Sequence, residues 1–173
     1  VRVSDLAENQ SPWATSATGF SVTLAGSNTT PNAPVILNYN DGVLMNENNP
    51  SLEFNLSDPD QSDPGENLKY QIQIDNNADF SSPEVDYTET DFASSPRNNV
   101  TFTPSTLQER QYYWRVKAID DEGLESAWQT ATNGFSIDTV LPVSTIHYPQ
   151  DNSMLKQVGR VFGQATDNNG VDY

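Results

Sequence analysis

The clearest pattern along this chain is an alternation of apolar and polar residues with a period of two. Residues 52–56, 70–74 and 112–118 each place an apolar side chain at every second position and a polar or outward-facing one between them. Successive side chains of a β-strand point to opposite faces, so a period of two predicts strands with one buried face. No window between these segments shows a helical period, and the chain is therefore predicted to be all-β.

Extending the same pattern predicts seven short strands in the central part of the chain. Abundant Gly, Pro and Asn between them supply the turns that separate short strands. Seven strands joined by such turns are typical of an immunoglobulin-like β-sandwich. The predicted strands are Pro34–Tyr39, 52–56, 70–74, a short edge strand at Val85 and Tyr87, one at Val100 and Phe102, 112–118, and one at Phe135 and Ile137.

The chain also repeats part of itself. Residues 1–24 and 116–139 align without a gap at an offset of 115. Self-similarity at a fixed offset is the signature of tandem repeats. The aligned positions include Trp13 with Trp128, and the Gly-Phe-Ser triplets at 19–21 and 134–136.

The repeat sets the predicted domain boundaries. We predict the C-terminal strands of a preceding repeat at 1–26, one complete sandwich at 32–140, and the N-terminal strands of a following repeat at 142–173. The linkers, around Ser27 to Asn32 and Thr139 to Pro142, are short, and short linkers limit bending between repeats, which favours an elongated rod. The chain is expected to be an excerpt of a longer polypeptide.

A family resemblance rests on one segment. The residues from Tyr112 to Ala118, followed by Asp120, Gly123, Ser126 and Trp128, resemble the F strand and F–G turn of bacterial fibronectin type III-like modules. The resemblance implies tandem immunoglobulin-like (fibronectin type III-like) seven-stranded sandwiches in a large extracellular surface protein. It indicates little about activity, because many unrelated proteins carry this module.

Several aromatic residues are predicted to be structural. Leu107 stands five residues before Tyr112, as in the tyrosine corner of such sandwiches, and inward register favours Tyr112 over Tyr113. Phe54 occupies the position of the family's B-strand tryptophan. The predicted structural set is Phe54, Tyr112, Trp114 and Trp128.

Charge and residue types exclude several functions. The 173 residues carry 8 basic and 24 acidic side chains, a formal net charge of −16, which repels nucleic acid and anionic lipid. No apolar run approaches the roughly 20 residues of a membrane span. There is no cysteine, and the single histidine, His147, leaves no second member for a catalytic triad or a histidine metal site. We therefore predict a non-catalytic protein at the cell surface or outside the cell.

Acidic residues suggest one binding site. Asp58 and Asp60 follow the second strand, and their Asp-x-Asp spacing resembles the Ca²⁺-binding loop of cadherin-like sandwiches. Asp120 ends strand F, and in a sandwich the B–C and F–G turns lie at the same end. The three aspartates are the predicted Ca²⁺ ligands, and Ca²⁺ takes six to eight oxygen ligands. The alternative is an ordinary turn rich in Asp, Asn, Pro and Gly. Further oxygens are available from Asn67, Asp121 and Glu122.

Two functions remain open from the sequence. The first is a structural repeat segment, such as a stalk, sheath, surface layer or fibre, whose partners are neighbouring repeats of the same polypeptide or assembly. The second is an adhesin, or a carbohydrate-binding accessory module of a secreted polysaccharide-degrading enzyme, in which Trp128 stacks on sugar rings. Since Trp128 repeats together with the Gly-Phe-Ser triplet, a structural role for it is favoured.

Overall fold

The structure is a computed structural model that describes residues 28–60, 66–154, 156–157 and 159–170. The predicted half-repeat at 1–26, including Trp13, lies outside the described residues. No helix among the described residues is long and apolar enough to cross a membrane.

Two β-sheets form the sandwich. One is three-stranded, in the order β1-β3-β7; the other runs β2-β10-β8-β4-β5, with β6 paired to β4 and β9 paired to β8. All pairings within these two sheets are antiparallel except that of β2 with β10, which is parallel. The strands are β1 Val35–Ile36, β2 Val43–Met45, β3 Leu52–Leu56, β4 Asn67–Asp75, β5 Val85–Thr88, β6 Ala93–Ser94, β7 Arg97–Phe102, β8 Gln111–Asp120, β9 Gln129–Thr130 and β10 Phe135–Ile137.

The core lies between the sheets and is built by the alternating pattern of the sequence. Along β3 and β8 every second side chain is buried, and Phe54, Tyr112 and Trp114 are all at most 1% exposed. The Phe54 and Trp114 ring centroids are 6.4 Å apart, which joins the two sheets. Burying each large apolar side chain stabilises the fold by about 1.5–3 kcal/mol.

A tyrosine corner fixes the entry to β8. The Tyr112 hydroxyl accepts a hydrogen bond from the Gln108 amide at 3.0 Å, and Leu107 is buried beside it. The Leu107 amide in turn donates to the Asn48 carbonyl at 2.7 Å. Together these contacts hold the β7–β8 connection against the end of the sandwich.

The first predicted strand is wrong in its extent. Instead of one strand over Pro34–Tyr39, the chain forms β1, leaves the β conformation at Tyr39 (φ 49°), turns at Gly42 (φ 76°) and enters β2 in the opposite sheet. The indole nitrogen of Trp114 donates to the Tyr39 carbonyl at 3.2 Å, so the crossing is fixed by the core. Because the chain crosses from one sheet to the other here, the alternation of apolar and polar residues is interrupted between β1 and β2.

Beyond the sandwich, β11 (Val143–Tyr148) and β12 (Phe162–Thr166) form an antiparallel pair. The Tyr148 and Phe162 rings stack with centroids 5.8 Å apart, and Val143 and Ile146 are largely exposed. These strands fall within the predicted following repeat at 142–173, whose boundaries stay a prediction. The all-β, immunoglobulin-like fold class is confirmed.

Candidate functional site

Three strand ends meet at one end of the sandwich. β3 and β8 finish there and β4 begins there, with Leu68 of β4 paired to Asp120 of β8. The residues just outside these ends are unusually acidic. We call this group the acidic end, and it comprises Asp58, Glu66, Asp120, Asp121 and Glu122.

Carboxylates at the acidic end lie very close together. One oxygen from each of Asp58, Glu66 and Asp120 lies within 4.8 Å of the others, and Glu66, Asp121 and Glu122 form a second such group. Asp58 and Asp120 are both 0% exposed, whereas Asp121 and Glu122 are open to solvent. The group therefore has a buried part and a solvated rim that share Glu66.

Backbone and linker groups hold the two buried aspartates in place. Asp58 Oδ1 accepts from the Asp60 amide at 2.8 Å, and Asp120 Oδ1 accepts from the Leu124 amide at 2.7 Å. Asp120 Oδ2 accepts from Nδ2 of Asn28, in the preceding linker, at 2.9 Å. Short-range bonds of this kind are what Asp makes in turns, and they orient both carboxylates.

Burial, and after it neighbouring negative charge, raises the pKa of two carboxyl groups at the acidic end. Burial, followed by the charges of Asp58, Asp121, Glu122 and Asp120, raises the pKa of Glu66 to about 7. Burial also raises the pKa of Asp58, against the hydrogen bond from the Asp60 amide, which lowers it. Like charges in a poorly solvated place disfavour one another's ionised form. A cation at this place would reverse that balance.

The predicted ligands are only partly brought together. Asp58 and Asp120 converge, but Asp60 Oδ2 is occupied by the Thr29 amide and hydroxyl at 2.7 and 2.8 Å. Glu66, which is not among the predicted ligands, completes the close group instead. The available signal was its position directly before β4, whose first residues pair with the end of β8.

Trp128 lies over the outward face of β8. The Arg115 guanidinium is 4.5 Å and the Lys117 ammonium 5.0 Å from its ring centroid, and Arg115 also lies 4.3 Å from the Phe80 ring. A cation over an indole face is attracted by the ring's electron density, typically by about 0.5–1 kcal/mol at exposed sites. The half-buried ring thus has partners within its own sheet.

The opposite end of the sandwich is hydrogen-bonded to the segment that leaves it. Glu109 Oε1 accepts from the Thr139 amide at 3.2 Å and from its hydroxyl at 2.5 Å. Asp138 Oδ1 accepts from the Val140 amide at 3.2 Å. Hydrogen bonding with the Asn169 side chain is the largest influence on Asp138 and lowers the pKa of its carboxyl. The departing chain is therefore anchored at its first residues.

Comparison with known proteins places the chain in a family. Residues 33–135 match the family described as the Rha78A-like, N-terminal immunoglobulin domain. The chain belongs to this family. Membership accounts for the immunoglobulin-like sandwich, and the matched region covers the described strands from β1 to the start of β10. A search of curated proteins finds no match.

Two solved structures are similar to this family member. The PKD domain of an M14-like peptidase from Thermoplasmatales archaeon SCGC AB-540-F20 shares 22% identity, over 60% of this chain and 93% of that chain, with a TM-score of 0.40. An α-L-rhamnosidase from Streptomyces avermitilis, complexed with L-rhamnose, shares 18% identity, over 62% of this chain, with a TM-score of 0.39. The aligned part is only 10% of that rhamnosidase chain.

Proposed function

We propose that this chain is a non-catalytic connecting module of a larger secreted or cell-surface protein, holding the parts before and after it in a fixed arrangement. The observation that carries the proposal is that linker residues at both ends of the sandwich are hydrogen-bonded to it. A module that only tethered its neighbours would leave its linkers free. The partners of this module are then the neighbouring repeats of the same polypeptide or assembly.

The incoming linker makes several contacts with the sandwich. Asn28 donates to Asp120, and Thr29 donates twice to Asp60. Farther along, the Asn32 amide donates to the Ser57 carbonyl at 3.0 Å. The residues from Asn28 to Asn32 therefore continue the hydrogen bonding of the fold up to the edge of the described chain. On the outgoing side, the paired bonds from Thr139 to Glu109 have the same effect.

Catalysis finds no support among the described residues. His147, on β11, has its Nε2 3.3 Å from the Thr145 hydroxyl within the same strand. The three ion pairs of the described residues join Arg97 to Glu89, Arg110 to Glu84 and Lys117 to Glu125. None of them includes a carboxylate of the acidic end. A pair of carboxyl groups can itself cleave a glycosidic bond, but Asp58 and Asp120 are 0% exposed and out of reach of a sugar, which suits ion binding better than bond cleavage.

A second candidate function follows from family membership. An immunoglobulin domain described as N-terminal in Rha78A-like proteins favours an accessory role beside a glycoside hydrolase. Such a module would either position the enzyme or bind its glycan through Trp128. The positioning role is better supported, because Arg115 and Lys117 already stack on the Trp128 ring.

Heteronuclear ¹H–¹⁵N relaxation of the full chain tests the connecting role. We expect the Thr29 and Thr139 amides to show the same rigidity as amides of β8, because each donates to a carboxylate of the sandwich. Asp60→Ala is expected to loosen Thr29 and leave Thr139 rigid, and Glu109→Ala to do the opposite. Each variant is thus the control for the other.

Two results would contradict the proposal. Loop-like mobility of both threonine amides in the unmodified chain would show that the sandwich merely tethers its neighbours. Alternatively, shifts of the Arg115 and Lys117 amide resonances on adding rhamnose-containing oligosaccharides, lost in Trp128→Ala, would favour the glycan-binding accessory module.

A further inference from the structure

Two buried aspartates at opposite ends of the sandwich differ in the hydrogen bonding of one carboxylate oxygen. Asp75 and Asp58 are both 0% exposed, and Oδ1 of each accepts from the amide two residues later. Asp75 Oδ2 accepts from the Ser82 amide at 3.2 Å. Asp58 Oδ2 is equally inaccessible but has no hydrogen-bond partner. An unsatisfied buried carboxylate oxygen is costly, so Asp58 is built for a ligand that Asp75 does not need.

Other oxygens without partners lie at the same end. Glu66 Oε1 and Asn28 Oδ1 are also buried and unpartnered. The Asn28 amide is placed there by its bond to Asp120, and one oxygen of Glu66 lies within 4.8 Å of oxygens from Asp58 and Asp120. Among the described residues these three buried oxygens accept no hydrogen bond, and unsatisfied acceptors close together favour a bound cation.

The spacing and chemistry favour Ca²⁺. Oxygens bound to opposite sides of one Ca²⁺ ion lie about 4.6–5.2 Å apart, since each Ca–O bond is about 2.3–2.6 Å. One oxygen from each of the three carboxylates is at most 4.8 Å from the others, so all three can reach a single ion. The ligands are all oxygens, which suits a hard cation, and the described group contains no histidine that would favour zinc.

We propose that Asp58, Glu66 and Asp120 bind a Ca²⁺ ion, with Asn28 of the linker adding its side-chain carbonyl oxygen. Water and second carboxylate oxygens complete the coordination number. The site differs from the predicted set in having Glu66 where Asp60 was expected, because Asp60 is bonded to Thr29. Binding also ties the linker to the sandwich; only this consequence rests on the proposed connecting function.

Thermal unfolding of the full chain, stripped of metal with a chelator, tests the site. Extracellular Ca²⁺ modules have dissociation constants of about 0.1–1 mM, so Ca²⁺ at about 10 mM gives useful occupancy. We expect a midpoint several degrees higher than in NaCl of equal ionic strength. The comparison with NaCl is needed because any salt screens the repulsion among the acidic side chains of a protein with net charge −16, and so raises the midpoint without binding.

Four variants test which side chains are responsible for the Ca²⁺-dependent shift of the unfolding midpoint. Glu66→Gln and Asn28→Ala, which lie at the edge of the fold, are expected to lose at least half of the Ca²⁺-dependent shift, and Asp58→Asn nearly all of it. Asp75→Asn is the matched control: it neutralises an equally buried aspartate in the same kind of turn, at the other end, and is expected to keep the full shift. Isothermal titration with Ca²⁺ alone gives the affinity even where a variant is less stable.

Equal midpoints in Ca²⁺ and NaCl, with no heat of binding, would overturn the proposal. So would a Ca²⁺-dependent shift that survives in Glu66→Gln and Asp58→Asn, since the ion would then bind elsewhere. These failures are separate from failure of the connecting function, which is read from the mobility of Thr29 and Thr139. A Ca²⁺ shift accompanied by a mobile linker would support the site on Asp58, Glu66 and Asp120, and would contradict both the part of Asn28 in it and the connecting function.

Discussion

At the scale of single residues, Tyr70 shows how burial in the sandwich changes the pKa of one hydroxyl. It is 5% exposed, its ring centroid is 5.0 Å from that of Phe54, and the Arg97 guanidinium lies 5.9 Å from the ring. Burial, and next the negative charge of Glu89, raise the pKa of Tyr70 to about 12. The phenol therefore stays protonated in the folded protein where an unfolded chain would ionise.

This shift predicts a loss of stability in alkali. The folded-state pKa is raised, so the contribution is complete below the unfolded pKa of about 10 and is lost as pH rises from about 10 to 12. At about 1.4 kcal/mol per pKa unit, the unfolding free energy falls by about 2–3 kcal/mol across that window. Urea unfolding at a series of pH values measures it, and Tyr70→Phe should make the fall shallower.

Tyr113→Phe provides the control for that series, because it removes a hydroxyl from the outward row of β8 instead of the core. It shows how the series responds to the loss of a tyrosine hydroxyl outside the core. If the Tyr70→Phe and Tyr113→Phe profiles coincide, the phenol of Tyr70 is not responsible for the alkaline loss.

At the residue scale, prediction is accurate where the burial of a side chain depends on its position within a single strand. The period of two predicts that Trp114 and Tyr112 point inward, and both are buried. Which loop side chains lie close together could not be predicted where it depends on distant contacts. Asp60 sits two residues from Asp58, yet it is turned to Thr29 by hydrogen bonds across 31 positions of sequence.

At the scale of elements, the turn into β10 shows why the triplet at 134–136 begins with glycine followed by phenylalanine. Gly134 has φ +61°, and a Cβ there would lie 1.9 Å from the Tyr112 carbonyl oxygen. Phe135 next to it pairs with Tyr112 across the strands and packs against it with ring centroids 5.6 Å apart. The close approach of β10 to β8 therefore requires glycine.

Gly134→Ala is expected to destabilise the fold by about 3 kcal/mol or more, because it adds backbone strain to a clash with immobile backbone. Gly123→Ala is the matched control. Gly123 also has positive φ, +93°, but a Cβ there meets nothing within 4 Å, so about 1 kcal/mol is expected from strain alone. Denaturant unfolding of both variants compares them, and equal losses would show that the contact with Tyr112 is unimportant.

Element-scale prediction failed at the first strand for a related reason. β1 and β2 belong to different sheets, and the crossing between them is set by Tyr39 and Gly42. Gly42 donates to the Gly134 carbonyl at 3.0 Å, a contact between residues that are far apart in sequence. Local alternation carries no information about which sheet a strand joins.

At the scale of the whole molecule, the charge of −16 dominates behaviour in solution. Raising NaCl from about 0.01 to 0.15 M shortens the screening length from about 30 to 8 Å. Because repulsion among the acidic side chains destabilises the compact state, we expect the unfolding midpoint of the chelator-treated chain to rise by a few degrees. Calorimetry measures it, and a midpoint that falls with salt would show that ion pairs outweigh repulsion.

The sequence by itself determined the all-β class, the inward faces of the main strands, the tyrosine corner and an acidic end carrying Asp58 and Asp120. These features depend on a period of two and on which loops share an end, both of which are local or follow from strand order. Only the tertiary structure decided that Glu66 rather than Asp60 joins the carboxylate group, and that Trp128 stacks on Arg115. Side chains in loops and on outer faces are oriented by contacts with residues that are distant in sequence. The alternation of apolar and polar residues along the chain carries no information about those contacts.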